Sequence, residues 1–178
     1  KFFLKRKANL LSLQGNYLQS NLILKELIQL LPQDTINRLN NLIDIGLNFY
    51  KAGNNDSALY YYQLTKSINQ LKFTQIEIVT LSNQANVYLL KGDFENTMKC
   101  YLDAIVISDS VNDLFSANSI RSNLANLYFE WEKYEQSIAV YKESLTYFKE
   151  NGILKSLSIN LLNIGIAFQS LNQSDSAF

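Results

Sequence analysis

Side chains capable of acid–base, nucleophilic or metal chemistry are few in this chain, and they are scattered. The 178 residues include no histidine and a single cysteine, Cys100. This composition excludes histidine general bases, histidine metal sites, internal disulfides and thiolate clusters. Carboxylates such as Asp44, Glu130, Glu132 and Glu135 are spaced as on solvated helix faces, and no glycine precedes the Lys-Ser or Lys-Thr of a phosphate-binding loop. We therefore predict that the chain is not an enzyme and binds no cofactor or metal.

The charge balance argues against nucleic acid as the partner. Lysine plus arginine numbers 16 and aspartate plus glutamate also 16, so the net charge is zero. A weak nucleic-acid alternative rests on one basic cluster, Lys1, Lys5, Arg6 and Lys7. No stretch approaches the roughly 20 apolar residues of a membrane span. The compartment stays open between cytoplasm and bacterial periplasm, because one cysteine does not decide it.

The elements that must position any binding residues repeat along the chain. A small residue recurs at intervals of 38, 39, 40 and 40 residues, at Ala8, Gly46, Ala85, Ala125 and Gly165. A second small residue follows each of them, at Ser20, Ala58, Thr97, Ser137 and Ala177. Gly15, Gly53 and Gly92 have the position of helix-ending glycines, and Asn16, Asn54 and Asp93 directly behind them are typical N-caps. Such a period predicts stacked helix pairs.

Apolar residues recur at i, i+3 and i+4, which favours helices over strands. Ile78, Leu81, Ala85 and Leu89 are one example. Small residues where helices cross allow close axial packing. The predicted helices cover residues 2–14, 17–31, 36–52, 55–71, 75–91, 94–110, 115–131, 134–150 and 155–171.

The repeated pattern resembles the tetratricopeptide repeat (TPR) family. Close matches are Val87-Tyr88-Leu89-Leu90-Lys91-Gly92-Asp93-Phe94 and Leu124-Ala125-Asn126-Leu127-Tyr128, and Pro32 ends the first repeat where the family often places its proline. The departures are a period longer than the family's 34 residues and Trp131-Glu132 in place of the Leu-Gly turn.

The resemblance implies an all-α fold, a right-handed α-solenoid of antiparallel helix hairpins. The expected organisation is a single TPR-like superhelix over residues 1–178. Its repeats are 1–35, 36–74, 75–114, 115–154 and an incomplete 155–178. We also expect a segment of a longer protein, because there is no initiator methionine and the fifth repeat stops where its second helix would begin.

The resemblance also implies where a ligand would lie, because the first helix of each TPR pair lines the concave face. That face would carry one row of Asn9, Asn48, Asn86 and Asn126, a second row of Asn83, Asn123 and Asn163, and the further side chains Tyr50, Phe129 and Gln169. Asparagine offers both a donor and an acceptor, so such rows could hydrogen-bond an extended peptide backbone. The alternative is that these asparagines only tie helix ends or bind water.

We therefore expect a non-catalytic protein- or peptide-binding module, the sensory or docking TPR region of a larger bacterial signalling or transcription regulator. Lys5 and Asn9 match half of the carboxylate clamp of TPR co-chaperones, but Val79 and Asn83 occupy the other basic positions, so we do not expect a clamp. The alternative function is structural self-association. Apolar residues at the two ends, Phe2, Phe3 and Leu4 and then Leu161, Leu162 and Phe168, could make a homodimer or a stack.

Overall fold

The computed structural model describes residues 1–30 and 32–175, and regular secondary structure in these ranges is entirely α-helical. The helices are α1 (Phe2–Leu13), α2 (Tyr17–Leu30), α3 (Thr35–Lys51), α4 (Asn55–Ile68), α5 (Thr74–Leu90), α6 (Phe94–Ser110), α7 (Leu114–Glu130), α8 (Tyr134–Glu150) and α9 (Leu154–Asp175). Each helix begins within one residue of its predicted start. The last predicted small residue, Ala177, lies outside the described residues.

The turns before α4 and α6 follow the predicted glycine and N-cap chemistry. Gly53 and Gly92 adopt φ values of +77° and +71°. Asn54 and Asp93 then accept backbone N–H bonds at 3.0 and 3.1 Å to cap α4 and α6. The fourth hairpin differs, because Glu132 holds a φ of +58° without the freedom of a glycine.

The chain divides into two compact units, which we call the N-terminal unit (residues 1–91, α1 to α5) and the C-terminal unit (residue 92 onward, α6 to α9). Consecutive helices pack against each other within each unit. The expectation of one continuous solenoid with five repeats stays a prediction. None of the helices in the described ranges is long and apolar enough to cross a membrane.

The small residues of the repeat lie where helices approach closely. Ala8 and Ala125 are fully buried. The hydroxyls of Ser20 and Ser137, on the second helix of each pair, donate to the backbone carbonyls of Ala8 and Ala125 at 2.8 Å. At Gly46 the approach is closer still, since a Cβ there would lie 2.5 Å from Cε1 of Tyr62. Side-chain size at these positions therefore sets the distance between the helices of a pair.

Candidate functional site

The C-terminal unit contains a groove made of two adjoining pockets of about 220 and 180 Å³, which share Asn126 and Asn163. We call it the polar groove. The larger pocket is lined mostly by hydroxyls and amides, from Ser119, Ser122, Asn123, Asn126, Ser156, Asn160 and Asn163, with Phe148 and Ile159. The smaller pocket adds Phe129, Glu130, Tyr141 and Ile166. Four of the predicted binding residues, Asn123, Asn126, Phe129 and Asn163, therefore line one surface.

Asn126 and Asn163 are held in place by a tyrosine of the second helix. The Tyr141 hydroxyl donates to Asn126 Oδ1, and Asn163 Nδ2 donates to the Tyr141 oxygen at 3.0 Å and to Asn126 Oδ1 at 3.3 Å. These bonds link α7, α8 and α9. They leave Asn126 Nδ2 as a donor and Asn163 Oδ1 as an acceptor without partners among the described residues.

Burial of Tyr141, which is 1% exposed, raises its pKa to about 12. The hydrogen bond from Asn163 acts in the opposite direction, and the charge of Glu130 raises the pKa further. The hydroxyl therefore stays protonated through the physiological range and donates to Asn126.

Asn123 and Phe129 complete the predicted part of the groove. Asn123 is half-buried on α7, and its amide has no hydrogen-bond partner among the described residues. Phe129 is half-buried, and its ring centroid lies 5.4 Å from that of Tyr134. The groove thus combines open amide groups with an apolar ring that a neighbouring ring holds in position.

Sequence reasoning missed a buried network at the base of the larger pocket. Asn160 is 1% exposed, and its Nδ2 donates to Ser144 Oγ at 2.7 Å and to Ser122 Oγ at 3.0 Å. Its Oδ1 has no partner among the described residues. A signal was present, because Asn160 and Asn41 both stand five residues before a glycine of the small-residue repeat.

Asn48 lines a pocket of the N-terminal unit together with Asn9, and it is more deeply buried than the other members of its predicted row. It is 2% exposed and uses its amide internally: Ser12 donates to its Oδ1 at 2.6 Å, and its Nδ2 donates to Ser20 at 2.9 Å and to Asn21 at 2.7 Å. The reason is its offset, since Asn48 stands two residues after Gly46. The other members of the row stand one residue after their small residue. One residue turns a helix by about 100°, which directs the Asn48 side chain towards Ser20 and Asn21 of α2.

The remaining predicted residues lie outside the polar groove. Asn9 is exposed on α1 and lines a separate pocket of about 300 Å³ in the N-terminal unit. Tyr50 packs against the core around Tyr62, and Asn83 and Asn86 are half-buried on α5. Gln169 is exposed on α9 and lines neither pocket of the groove.

The lysine of the half-matched clamp is already paired. Lys5 Nζ donates to Asn41 Oδ1 at 2.6 Å and forms an ion pair with Asp44. In the part of the chain that the structure describes, no lysine or arginine lines the groove. Across the described part of the chain, no three His, Cys, Asp or Glu side chains are grouped to hold a metal ion.

Comparison with solved structures shows the fold. An aspartyl phosphate phosphatase F from Bacillus subtilis is 17% identical with a TM-score of 0.86, covering 99% of this chain and 47% of that one. The kinesin light chain TPR-like repeats of Podospora anserina are 12% identical with a TM-score of 0.76, covering 98% and 87%. A Pyrococcus horikoshii STAND signal-transduction ATPase with a tetratricopeptide repeat sensor is 16% identical with a TM-score of 0.80, covering 92% and 26%.

No family model matches the chain. The structural likeness nevertheless confirms the expected class, an all-α fold of TPR-like helix hairpins.

Proposed function

We propose that this chain is a non-catalytic peptide-binding module and that the polar groove is its binding site. One observation supports this above the others: Asn123, Asn126, Phe129 and Asn163, from two successive first helices, line one groove with amide groups left open. Free amide donors and acceptors match the N–H and C=O groups of an extended peptide. Phe129 and Ile166 offer an apolar surface for one of its side chains.

The wider context proposed is the sensory or docking region of a larger bacterial signalling or transcription regulator. The support is the likeness to a protein described as carrying a tetratricopeptide repeat sensor. The compartment would be periplasmic in a membrane-anchored sensor and cytoplasmic otherwise. A full-length gene that encodes neither a membrane helix nor an effector domain would contradict this context.

The groove is tested by selecting peptides from a displayed random library with the whole chain. The asparagine side-chain amide resonances of Asn123, Asn126 and Asn163 are then recorded with a selected peptide. We expect these signals to shift and the double variant Asn123→Ala/Phe129→Ala to lose at least tenfold in affinity. Selected peptides that leave the three amide signals unmoved would place binding elsewhere.

A matched control is available on the same unit. Gln136→Ala/Phe115→Ala also removes one amide and one phenyl ring, from exposed positions that line neither pocket. This control is expected to bind as the parent does. Equal loss in both double variants would indicate general destabilisation, which circular dichroism checks. A binding role stays a prediction for the other predicted residues, Asn9, Asn48, Tyr50, Asn83, Asn86 and Gln169.

Self-association is the second candidate function, and exposed apolar side chains favour it. Leu161, Leu162 and Phe168 on α9 are 52%, 64% and 42% exposed, and Phe2 and Phe3 on α1 are 67% and 83% exposed. Light scattering over a hundredfold concentration range separates the candidates. A mass that rises with concentration and falls back in Leu162→Ser favours self-association, and a constant monomer mass contradicts it.

A further inference from the structure

Two places in the chain occupy the same position in the repeat but carry different residues. Lys5 and Ser122 each stand three residues before an alanine of the small-residue repeat. Each contacts an asparagine of the following first helix, Lys5 at Asn41 (2.6 Å) and Ser122 at Asn160 (3.0 Å). The two contacts occupy equivalent positions in the two units, but Lys5 donates to Asn41 Oδ1 whereas Ser122 accepts from Asn160 Nδ2.

In the N-terminal unit this place is filled by an ammonium group. Lys5 Nζ donates to Asn41 Oδ1 and pairs with Asp44. In the C-terminal unit Ser122 is too short to fill the same place, and the larger pocket of the polar groove lies there, with about 220 Å³ of space. The buried Asn160 lines this pocket and retains an Oδ1 without a partner among the described residues.

We propose that the larger pocket binds the ammonium group of a lysine side chain supplied by the peptide ligand. The ligand lysine would take the place that Lys5 takes in the N-terminal unit, donating to Asn160 Oδ1. Asn163 Oδ1 is the second acceptor, because Asn163 stands at the position of Asp44. This assignment rests on the proposed function of the groove and names the ligand's chemistry.

The charge of the groove fits a cation better than an anion. Among the described residues, no lysine or arginine lines either pocket, and Glu130, which lines the smaller one, has no ion-pair partner. An ammonium group needs acceptors to offset its lost hydration, and the amide oxygens of Asn160 and Asn163 supply them. An acidic peptide would meet Glu130 with no cation to offset it.

The first experiment titrates the whole chain with four tripeptide probes and follows the side-chain amide signals of Asn160 and Asn163. The probes are acetyl-Gly-Lys-Gly-amide, its Nε-acetyl-lysine form, its norleucine form, and Gly-norleucine-Gly-amide with a free N-terminus. We expect only the first probe to shift both signals strongly. Equal shifts from the acetyl-lysine or norleucine probe would overturn the proposal, and a response confined to the free N-terminus would overturn the assignment to lysine.

Two variants introduce into the polar groove the residue types that the N-terminal unit has at Lys5 and Asp44. Asn163→Asp supplies the carboxylate that Asp44 provides to Lys5, so we expect affinity for the lysine probe to rise about 5- to 10-fold. Ser122→Lys/Asn163→Asp also adds an internal lysine, which is expected to fill the pocket and abolish the response. If the double variant fails to fold, the single variant and the probe series still decide. Asn163→Asp also removes the two hydrogen bonds that Asn163 Nδ2 donates to Tyr141 and Asn126, so the side-chain amide signal of Asn126 is recorded as a control. Unchanged or weaker binding in an Asn163→Asp variant that keeps this signal contradicts the proposal.

Failure of this inference is distinguishable from failure of the proposed function. Library-selected peptides that shift Asn123 and Asn126 but bind equally with lysine replaced by norleucine would leave the groove function intact and remove the lysine pocket. A lysine probe that binds at Asn160, while no selected peptide contacts Asn123 or Asn126, would support the lysine pocket and contradict the proposed peptide groove.

Discussion

Two buried tyrosines at equivalent positions should respond in opposite directions to loss of their hydroxyl group. Tyr62 and Tyr141 each follow the small residue of their first helix by 16 positions, and they are 0% and 1% exposed. The Tyr141 hydroxyl bonds to Asn126 and Asn163, whereas the buried Tyr62 hydroxyl has no hydrogen-bond partner among the described residues. The residue equivalent to Asn126 beside Tyr62 is Leu47, which cannot accept a hydrogen bond.

The magnitudes follow from these contacts. A buried hydroxyl without a partner costs about 1–3 kcal/mol, so Tyr62→Phe is expected to raise the free energy of unfolding by up to that amount. Tyr141→Phe removes two hydrogen bonds worth about 0.5–1.5 kcal/mol each and leaves amide groups short of a partner. It is expected to lower the free energy of unfolding by about 1–3 kcal/mol.

The assay is urea denaturation of both variants and the parent. Fluorescence of the single tryptophan, Trp131, reports on the C-terminal unit, and circular dichroism reports on all helices. Two probes are needed because repeat arrays do not always unfold in one step. A destabilised Tyr62→Phe, or a Tyr141→Phe as stable as the parent, would refute the reasoning from hydroxyl pairing.

Three further predictions concern side-chain size, backbone conformation and pH. Gly46→Ala should lower the free energy of unfolding by about 1–2 kcal/mol, because its methyl would press into the buried Tyr62 ring. Gly165→Ala should raise it by up to about 1 kcal/mol, because no described atom lies within 4 Å of the added Cβ. Urea denaturation midpoints of the two variants test both expectations. Glu132→Gly should raise thermal stability by about 0.5–1 kcal/mol because Glu132 has a positive φ, and an unchanged melting temperature would contradict this. Tyr141 has a folded pKa of about 12, raised by burial above the unfolded value of 10.0. The free energy of unfolding therefore keeps its full contribution from Tyr141 below pH 10 and should fall by up to about 1.4 kcal/mol per pH unit between pH 10 and 12. Alkaline denaturation of Tyr141→Phe should lack this part of the pH dependence.

Much of the local structure could be predicted from residue types alone. Glycine followed by Asn54 or Asp93 marks a helix end and the next N-cap, because both features depend only on neighbouring backbone groups. Predicted helix starts agree with the structure to within one residue for the same reason. The pairing of Asn126 with Asn163 across two repeats was also within reach, because both positions repeat in register with the small residues.

The partners of particular polar side chains could not be predicted in this way. Asn48 looked like a member of the asparagine row, yet one residue of offset buries it against Ser20 and Asn21. Asn160 was overlooked because a lone asparagine in an amphipathic helix gives no sign of the serines that it meets on other helices.

The sequence by itself determined where the helices begin and which residues end and cap them, because these features depend on spacing along the chain and on local backbone chemistry. The tertiary structure alone decided which side chains meet across helices. Lys5 is long enough to reach Asn41 and Asp44, whereas Ser122 leaves a pocket before Asn160. Spacing sets the direction of a side chain, but its length and its neighbours on other helices decide whether the place is filled or left for a ligand.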